Sequence, residues 1–341
     1  MRAFVVSGPG SCSVDDVESP RPGPGQVVVD IERVGVCGTD VEFFTGEMAY
    51  LQQGHARYPL RLGHEWCGRV ASAGPDVDAE WVGVRVTGDT MLGCGRCQRC
   101  RGGRHHVCAD RFEVGIRGGW PGALAEQLAV PVSALHRLPA GVDATAGAMV
   151  EPGGSAARAV DGCGLVTGER LLVVGPGTIG LLAASFAQAR GLEVHVLGVE
   201  PGSLEFARTL GVDGAWTEAA LPDLPFDAII DATNAASIPG RALDLVEPGR
   251  RVVYVGLAGT PSTIDTRTLA LKDVTAVGIL GGSAGLVGAI AEYASGRVDP
   301  RPLVAATVSL DEIGAVLGGW SPPAAGPGPK IQVDPRGVVP D

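Results

Sequence analysis

The sequence predicts an α/β protein in which a doubly wound parallel sheet is joined to a separate β-rich domain. An apolar run at 171–174 is followed by the motif GPGTIG and then by an Ala-rich helical pattern. From Leu165 onward, apolar strand patterns alternate with helical patterns, which is typical of a parallel sheet. Short strand patterns separated by Pro- and Gly-rich turns occupy the beginning of the chain and predict the β-rich domain.

The glycines of GPGTIG each have a physical task. Gly175 allows a tight turn after the strand, Gly177 lets the backbone approach a pyrophosphate, and Gly180 lets the helix pack closely on the strand. Thr178 and Ile179 begin the helix, whose free N–H groups would face the phosphates. Such a motif also occurs in purely structural turns, so the surrounding elements decide its meaning.

Those surrounding elements complete a βαβ unit of the length that a dinucleotide needs. Strand patterns lie at 171–174, 193–197, 227–231, 251–256 and 274–279. Helical patterns lie at 203–210, 238–246 and 286–295. Two further short strands are predicted at 303–308 and 330–333.

Composition limits the functional classes. The chain has 341 residues, of which 45% are hydrophobic and 19% charged, and this balance is typical of a globular protein. A net charge of -11 argues against a nucleic-acid partner, which would require clustered basic residues. The sequence has no apolar run of membrane-spanning length and no signal peptide pattern, so we expect a cytoplasmic protein without a membrane partner.

A cysteine cluster predicts a structural zinc site, with the ligands Cys94, Cys97, Cys100 and Cys108. Four thiolates at such spacing can surround one tetrahedral ion and leave no open position. In a cytoplasmic protein this clustering favours a metal over disulfides. His105 and His106 lie inside the segment as competing ligands, and an iron–sulfur cluster is the alternative for the same thiolates.

A second set of metal-binding side chains is spread along the chain. Cys37 follows a strand in CGTD, His64 and Glu65 lie in GHE, and Glu151 lies in MVEPGGSA. Cys, His and Glu are the ligands that hold a catalytic zinc while leaving one position open. The alternatives are that His64 is a core histidine and that Glu151 is a carboxylate favoured at a helix N-terminus.

The order of these motifs resembles the zinc-dependent medium-chain alcohol dehydrogenases, especially the sorbitol and threonine dehydrogenase branch. The motifs are CGTD, GHE, the four cysteines, GALAEQ, EP and GPGTIG, and the resemblance covers nearly the whole chain. It implies a GroES-like catalytic domain at 1–150 and 283–341, with the zinc lobe at 93–109. It also implies a Rossmann domain at 151–282, with zinc and nicotinamide held between the two domains.

The resemblance also implies roles for residues near the catalytic zinc. Cys37 and His64 match the first two ligands, and Glu151 matches the third. Glu65 matches a carboxylate that is either a direct ligand or a neighbour of the metal. Asp40 matches a carboxylate that orients the zinc-bound histidine.

Two further positions match the family's proton relay. Thr39 matches the hydroxyl that contacts the substrate oxygen. Many relatives end the relay at a histidine five positions after the first cysteine, and this chain has Glu42 there. A carboxylate can also transfer a proton, but with a different pKa and reach.

The resemblance places four residues near the cofactor: Thr233, Gly256, Leu257 and Leu280. Family members that bind NAD have an acidic residue at the end of the second strand, and this chain has Gly198. That glycine admits NADP, but Val199 offers no charge to a phosphate and Glu200 would repel it. NAD and NADP both remain open.

The expected function is the reversible oxidation of a secondary alcohol, polyol or amino alcohol, with two zinc ions per chain and NAD or NADP. A homo-oligomer, either a dimer or a tetramer, is expected. The alternatives are a zinc-stabilised binding protein that has lost catalysis and a zinc-free enone or quinone reductase on the same fold.

Overall fold

The computed structural model describes residues 1–337, and the chain forms two compact units. Unit 1 comprises Met1–Glu151, Val304–Gly326 and the described chain from Lys330 onward. Unit 2 comprises Pro152–Leu303 and Pro327–Pro329. No helix of the described residues is long and apolar enough to cross a bilayer.

The boundary at which the chain returns to unit 1 differs from the prediction. The sequence predicted residue 282, whereas the segment up to Leu303 belongs to unit 2. The helix at 286–295 explains the difference, since the Tyr293 ring stacks on Phe186 of unit 2 with centroids 5.9 Å apart. Apolar burial against this unit keeps the helix there.

The strands of the described chain are β1 (Arg2–Gly8), β2 (Ser11–Asp16), β3 (Gln26–Gly35), β4 (Glu65–Ala73), β5 (Arg85–Gly88), β6 (Met91–Leu92), β7 (Phe112–Glu113), β8 (Gln127–Pro131), β9 (Leu135–Arg137), β10 (Arg170–Val174), β11 (Glu193–Leu197), β12 (Gly214–Trp216), β13 (Phe226–Asp231), β14 (Val246–Tyr254), β15 (Thr275–Gly278), β16 (Val304–Ser309) and β17 (Lys330–Asp334).

The α-helices of the same residues are α1 (Gly38–Thr45), α2 (Ala49–Gln52), α3 (Gln98–Arg101), α4 (Ala144–Ala148), α5 (Val150–Cys163), α6 (Thr178–Ala189), α7 (Pro201–Thr209), α8 (Ile238–Leu245), α9 (Thr266–Leu271), α10 (Leu286–Ser295) and α11 (Ile313–Leu317).

Unit 1 is built on a mixed sheet. Its strand order is β16-β17-β3-β4-β5-β9, and β8 also pairs with β3. The β16–β17 pair is parallel, while β3 pairs antiparallel with β4, β8 and β17. The long strand β3 buries Val27, Val29 and Ile31 in the core, and its carboxyl end leads directly to Cys37.

Unit 2 contains the predicted parallel sheet, in the order β12-β11-β10-β13-β14-β15. The apolar residues 171–174 of β10 are buried, as expected for a strand at the centre of a parallel sheet. Strand order reverses beside β10, whose neighbours are β11 and β13. Such a reversal opens a crevice at the carboxyl ends of the strands, where dinucleotides bind in this type of sheet.

Candidate active site

Asp40 ties together the two loops that carry Cys37 and His64. Cys37 is the N-cap of α1, and its backbone N–H donates to Asp40 Oδ2 at 2.9 Å. The N–H of Gly63, the residue before His64, donates to Asp40 Oδ1 at 3.3 Å. Because Asp40 is fully buried, these bonds fix both loops at one point of unit 1.

The His64 ring lies beside the same carboxylate. Its Nδ1 atom is 3.7 Å from Asp40 Oδ1 and has no hydrogen-bond partner within the described chain, although it is buried. The His64 carbonyl accepts a hydrogen bond of 3.2 Å from Thr90 Oγ1. The Thr90 bond fixes the backbone at His64, and the Asp40 carboxylate flanks the imidazole, an arrangement that suits a metal-binding histidine.

Glu65 forms a buried ion pair that the sequence did not predict. Its Oε2 atom accepts a bond of 2.6 Å from Lys330 Nζ, which also donates to the Val36 carbonyl at 2.8 Å. Gly35 leaves room for this carboxylate, since a Cβ there would lie 2.1 Å from Glu65 Oε2. A sequence signal did exist, because Lys330 is one of only two lysines in the chain and lies in an apolar strand pattern.

The structure brings Cys37, His64 and Glu65 together. One ligand atom from each of these side chains lies within 4.8 Å of the other two. Glu151 is buried in the first turn of α5 and interacts electrostatically with His64 and Glu65, but it is not part of this group. The third-ligand role of Glu151 therefore stays a prediction.

The charges around His64 favour a cation. Burial and the carboxylates of Glu65 and Asp89 raise the pKa of Glu151 to about 7. Burial also raises the pKa of Asp40. A thiol, an imidazole and carboxylates in such an enclosed, anion-rich place are the donor set of a catalytic zinc, so these residues fit that metal.

The predicted relay residues lie on α1. Thr39 and Glu42 are three positions apart on this helix, and both side chains are partly buried. Residues with this spacing are neighbours on a helix surface. Burial, and then the nearby Glu47, raise the pKa of Glu42. Glu42 is thereby better able to hold a proton than an exposed glutamate is.

The four clustered cysteines converge in the lobe at 93–109. Their Sγ atoms all lie within 4.8 Å of one another. Backbone N–H groups of Arg96 and Cys97 lower the pKa of Cys94 to about 6 and so favour its thiolate. His105 Nε2 instead lies 2.6 Å from Asp89 Oδ2, outside the cysteine group. The lobe fits a zinc ion with four sulfur ligands and no open position.

The glycine turn of unit 2 has the geometry that a dinucleotide needs. Gly175 has φ +100°, and its N–H donates to the Leu197 carbonyl at 2.8 Å. A Cβ at Gly180 would lie 1.9 Å from the Gly175 carbonyl oxygen, so only glycine fits there. Gly177 is the N-cap of α6 and faces open space, which leaves room for a pyrophosphate.

Asp231, which no sequence motif singled out, organises the loops beside this turn. Its carboxylate accepts from Thr233 N at 3.0 Å and from Thr233 Oγ1 at 2.8 Å. Its carbonyl accepts from Val255 and Gly256. A Cβ at Gly256 would lie 1.9 Å from the Thr233 carbonyl oxygen. In the sequence, Asp231 could have been recognised as an acidic residue at the end of an apolar strand pattern.

The remaining predicted cofactor residues lie near the surface. Gly198 directly follows β11, and a Cβ there would lie 2.8 Å from the Pro176 ring. Val199 and Glu200 are exposed, as are Leu257 and Leu280. The described structure thus has no acidic side chain at the end of the second strand, as the sequence indicated.

Two family models match the chain in the order that the fold shows. The alcohol dehydrogenase GroES-like domain matches residues 23–140. The zinc-binding dehydrogenase model matches residues 178–295. An L-threonine 3-dehydrogenase from Streptomyces avermitilis is 34% identical over 279 residues, which is 78% of this chain and 80% of the relative. The chain belongs to the zinc-dependent medium-chain alcohol dehydrogenase family.

Solved structures agree with this assignment. An alcohol dehydrogenase from Thermus sp. ATN1 has a TM-score of 0.88 and 26% identity, over 98% of this chain and 99% of that one. A protein from Sinorhizobium meliloti, assigned as a zinc-binding dehydrogenase and bound to NADP, has a TM-score of 0.88 and 28% identity, with the same coverage. The predicted family, the GroES-like and Rossmann domains, and an NAD(P)-linked, zinc-dependent oxidoreductase are thereby confirmed.

Proposed function

We propose that this dehydrogenase oxidises a small secondary alcohol of the amino-alcohol or polyol class. The observation that carries the proposal is the buried cluster of Cys37, His64 and Glu65 in unit 1. The relatives named L-threonine 3-dehydrogenase support an amino alcohol as the first substrate to test. L-Threonine carries a secondary hydroxyl beside an amino-bearing carbon and is therefore the first compound to test.

Cys37 and His64 would hold the catalytic zinc with a carboxylate as the third protein ligand. The geometry favours Glu65 for that place, and Glu151 is the second candidate. When bound, the metal supplies Lewis-acid activation of the alcohol, and the nicotinamide supplies the hydride acceptor. Asp40 positions His64, and the glycine turn orients the cofactor through its pyrophosphate.

Thr39 and Glu42 are proposed to carry the alcohol proton away. The Thr39 hydroxyl would accept a hydrogen bond from the substrate hydroxyl. It would then transfer the proton towards the Glu42 carboxylate on the same helix. Glu42, one helical turn further on, has a raised pKa and so can hold that proton near neutral pH more readily than an ordinary glutamate. The histidine of many relatives is thus replaced by a carboxyl group.

Both nicotinamide cofactors remain candidates in this proposal. The NADP-bound relative from Sinorhizobium meliloti and the glycine at position 198 support NADP. The exposed Glu200 supports NAD, because it would repel a 2′-phosphate. Comparing kcat/KM for the two cofactors with one substrate distinguishes them.

The same proposal includes a cytoplasmic location and a homo-oligomer without nucleic-acid or membrane partners. No disulfide joins any of the eight cysteines, which suits a reducing compartment. The net charge of -11 does not suit a nucleic-acid surface. Strand β15 forms an edge of the parallel sheet with three of its four residues exposed, which offers a place for a second copy to pair.

The decisive experiment is an absorbance assay of cofactor reduction with a panel of amino alcohols and polyols, combined with metal analysis. We expect saturable reduction with at least one compound and two zinc ions per chain. The Cys37→Ala variant should lose at least about a thousandfold in kcat/KM, because Lewis-acid activation contributes several kcal/mol. It should keep one zinc and its circular dichroism spectrum.

The same measurements separate the alternatives. A wild-type protein that binds cofactor and two zinc ions but reduces neither NAD nor NADP with any alcohol would be a binding protein. Reduction of enones by NADPH in a chain with no zinc at the Cys37 site would indicate a zinc-free reductase. Full activity in Cys37→Ala would overturn the assignment of the catalytic cluster.

A further inference from the structure

Unit 1 has a cavity that includes none of the zinc-cluster residues. Its volume is about 260 Å³. We name it the Arg61 pocket, and it is lined by Pro20, Arg61, Phe112, residues 118–121 and residues 127–129. The lining contains two prolines, two aromatic rings and two glycines, and Arg61 is its one charged side chain. A cavity with an apolar wall and few polar groups is typical of a small-molecule site.

Arg61 is half-buried without a partner. No side-chain hydrogen bond or ion pair joins its guanidinium to any other residue between 1 and 337. Other half-buried arginines of unit 1 pair with carboxylates, at 2.8 Å for Arg33 with Asp334 and for Arg85 with Glu32, and at 2.7 Å for Arg111 with Glu113. Arg61 is therefore exceptional in a chain that has an excess of acidic residues.

The carboxylate bonded to Gln127, a residue of the pocket lining, is already engaged. Asp30 Oδ1 accepts from Gln127 Nε2 at 2.9 Å and lies 2.6 Å from Arg336 Nη2. Asp30 and Arg336 are not among the residues that line the pocket. Burial lowers the pKa of Arg61, since nothing compensates the lost hydration of its charge. An added carboxylate would supply that compensation.

The aromatic wall of the pocket is fixed in place. The Phe112 and Trp120 rings are in edge contact, with centroids 5.6 Å apart and planes at 61°. Trp120 Nε1 donates to the Ala129 carbonyl at 3.1 Å. Gly118 has φ +74°, and a Cβ there would lie 2.5 Å from the Phe112 ring, so glycine is needed for that ring to lie where it does. Because these side chains are already held in place, a ligand that binds here loses little free energy to ordering them.

We propose that the Arg61 pocket binds a small organic carboxylate with a planar apolar body, the carboxylate on the Arg61 guanidinium and the body against Phe112 and Trp120. A guanidinium binds a carboxylate through two parallel hydrogen bonds, and an aromatic wall favours a flat ligand. A phosphate is disfavoured, because its second charge would meet no other cation among the lining residues. The proposal does not depend on the dehydrogenase activity.

The test is isothermal titration calorimetry of the full chain with benzoate. Benzamide serves as the uncharged probe of nearly the same shape, and inorganic phosphate serves as the anion without an apolar body. The titration is repeated in the Cys37→Ala background, so that binding of benzoate at the catalytic cluster does not contribute. We expect one benzoate per chain with a Kd of about 1 mM or tighter, and no measurable binding of benzamide or phosphate.

Substitution of Arg61 locates the site. Arg61→Gln should weaken benzoate binding at least about tenfold, because it removes the charge and the paired donors. Arg61→Lys should weaken it less, since the charge remains. Arg57→Gln is the matched control, because Arg57 is exposed and lies outside the pocket lining. Melting temperatures should stay unchanged in all three variants.

Three results would overturn the proposal. One is the absence of saturable benzoate binding in the wild-type chain. Another is equal affinity in Arg61→Gln and wild type, which would place the benzoate elsewhere. The third is binding of phosphate as tight as that of benzoate, which would show a simple anion site without the predicted role for Phe112 and Trp120.

Discussion

Lys330 places a buried ammonium group beside the cluster of Cys37, His64 and Glu65. From its motif, Glu65 is predicted to be either a direct zinc ligand or a neighbour of the metal, and no motif includes Lys330. The structure places both side chains in the interior of unit 1, where the Glu65 Oε2 to Lys330 Nζ distance is 2.6 Å. Burial lowers the pKa of Lys330, but Glu65 and Cys37 raise it more, so the ammonium persists. Lys330 thereby offsets part of the negative charge of the zinc cluster.

Removing one member of this pair leaves a buried charge. Lys330→Gln is expected to lower the free energy of unfolding by about 3–5 kcal/mol, the cost typical of breaking a buried ion pair. In protein freed of zinc with a chelator, the double variant Glu65→Gln, Lys330→Gln should recover much of the loss, since neither charge then remains. Urea unfolding of the four proteins in this cycle measures the coupling. A double variant less stable than Lys330→Gln would contradict this account.

In the turn between β10 and α6, glycine is required at two positions for two different physical reasons. At Gly180 the backbone of the turn leaves no room for a Cβ, whose distance to the Gly175 carbonyl oxygen would be 1.9 Å. At Gly177 no described residue other than its chain neighbours has an atom within 4 Å of the Cβ position. The first glycine therefore serves packing, and the second serves the approach of the cofactor.

Alanine substitution should separate these two roles. Gly180→Ala is expected to destabilise the protein by about 1–3 kcal/mol through overpacking. Gly177→Ala should keep the wild-type Tm but weaken NADH or NADPH binding, because its methyl group occupies space near the pyrophosphate. Thermal unfolding and fluorescence titration measure the two effects. Equal losses of stability in both variants would show that Gly177 also has a packing role.

The zinc lobe is an element that depends on its metal. The lobe contains only short elements, and three of its four cysteines are partly exposed, so it has little apolar core of its own. Cys97→Ser should therefore lower the zinc content from two ions to one and lower the Tm, since a structural zinc contributes directly to folding. Metal analysis and calorimetry check both points. An unchanged Tm after complete loss of the lobe zinc would refute a structural role.

At the scale of the whole molecule, unit 2 has an exposed sheet edge. Its outermost strand, β15, exposes Thr275, Ala276 and Gly278, and Leu271 just before it is 84% exposed. An unpaired strand edge is a template for pairing with another chain, and lysine on such an edge discourages that pairing. A second copy joined along this strand would cover both the edge and the nearby leucine.

Ala276→Lys is accordingly expected to convert a dimer or tetramer to smaller species, because the charge would lie in the interface. Val166→Lys is the control, since Val166 is an exposed apolar residue elsewhere in unit 2. Light scattering after size-exclusion chromatography gives the mass of each protein. A wild-type chain that is monomeric at all concentrations would remove the basis of this prediction.

Much of the molecule follows from the sequence because its signals are local. The apolar run at 171–174 with its glycines specifies a strand, a turn and a helix, and the spacing of the four cysteines alone specifies a closed metal site. The alternation of strands and helices determines the parallel sheet. Each of these patterns depends on neighbours within about thirty residues, a distance over which chain geometry is restricted.

Which distant side chains meet depends on the pairing of strands that lie far apart in the chain. Lys330 reaches Glu65 across 265 positions because β17 and β4 both pair with β3, and no local pattern encodes that contact. The same holds for the grouping of Cys37, His64 and Glu65 without Glu151, and for Arg61 beside Trp120. Strand pairing in a mixed sheet brings remote segments together, and the resulting distances depend on register and packing, which the composition of each segment leaves open.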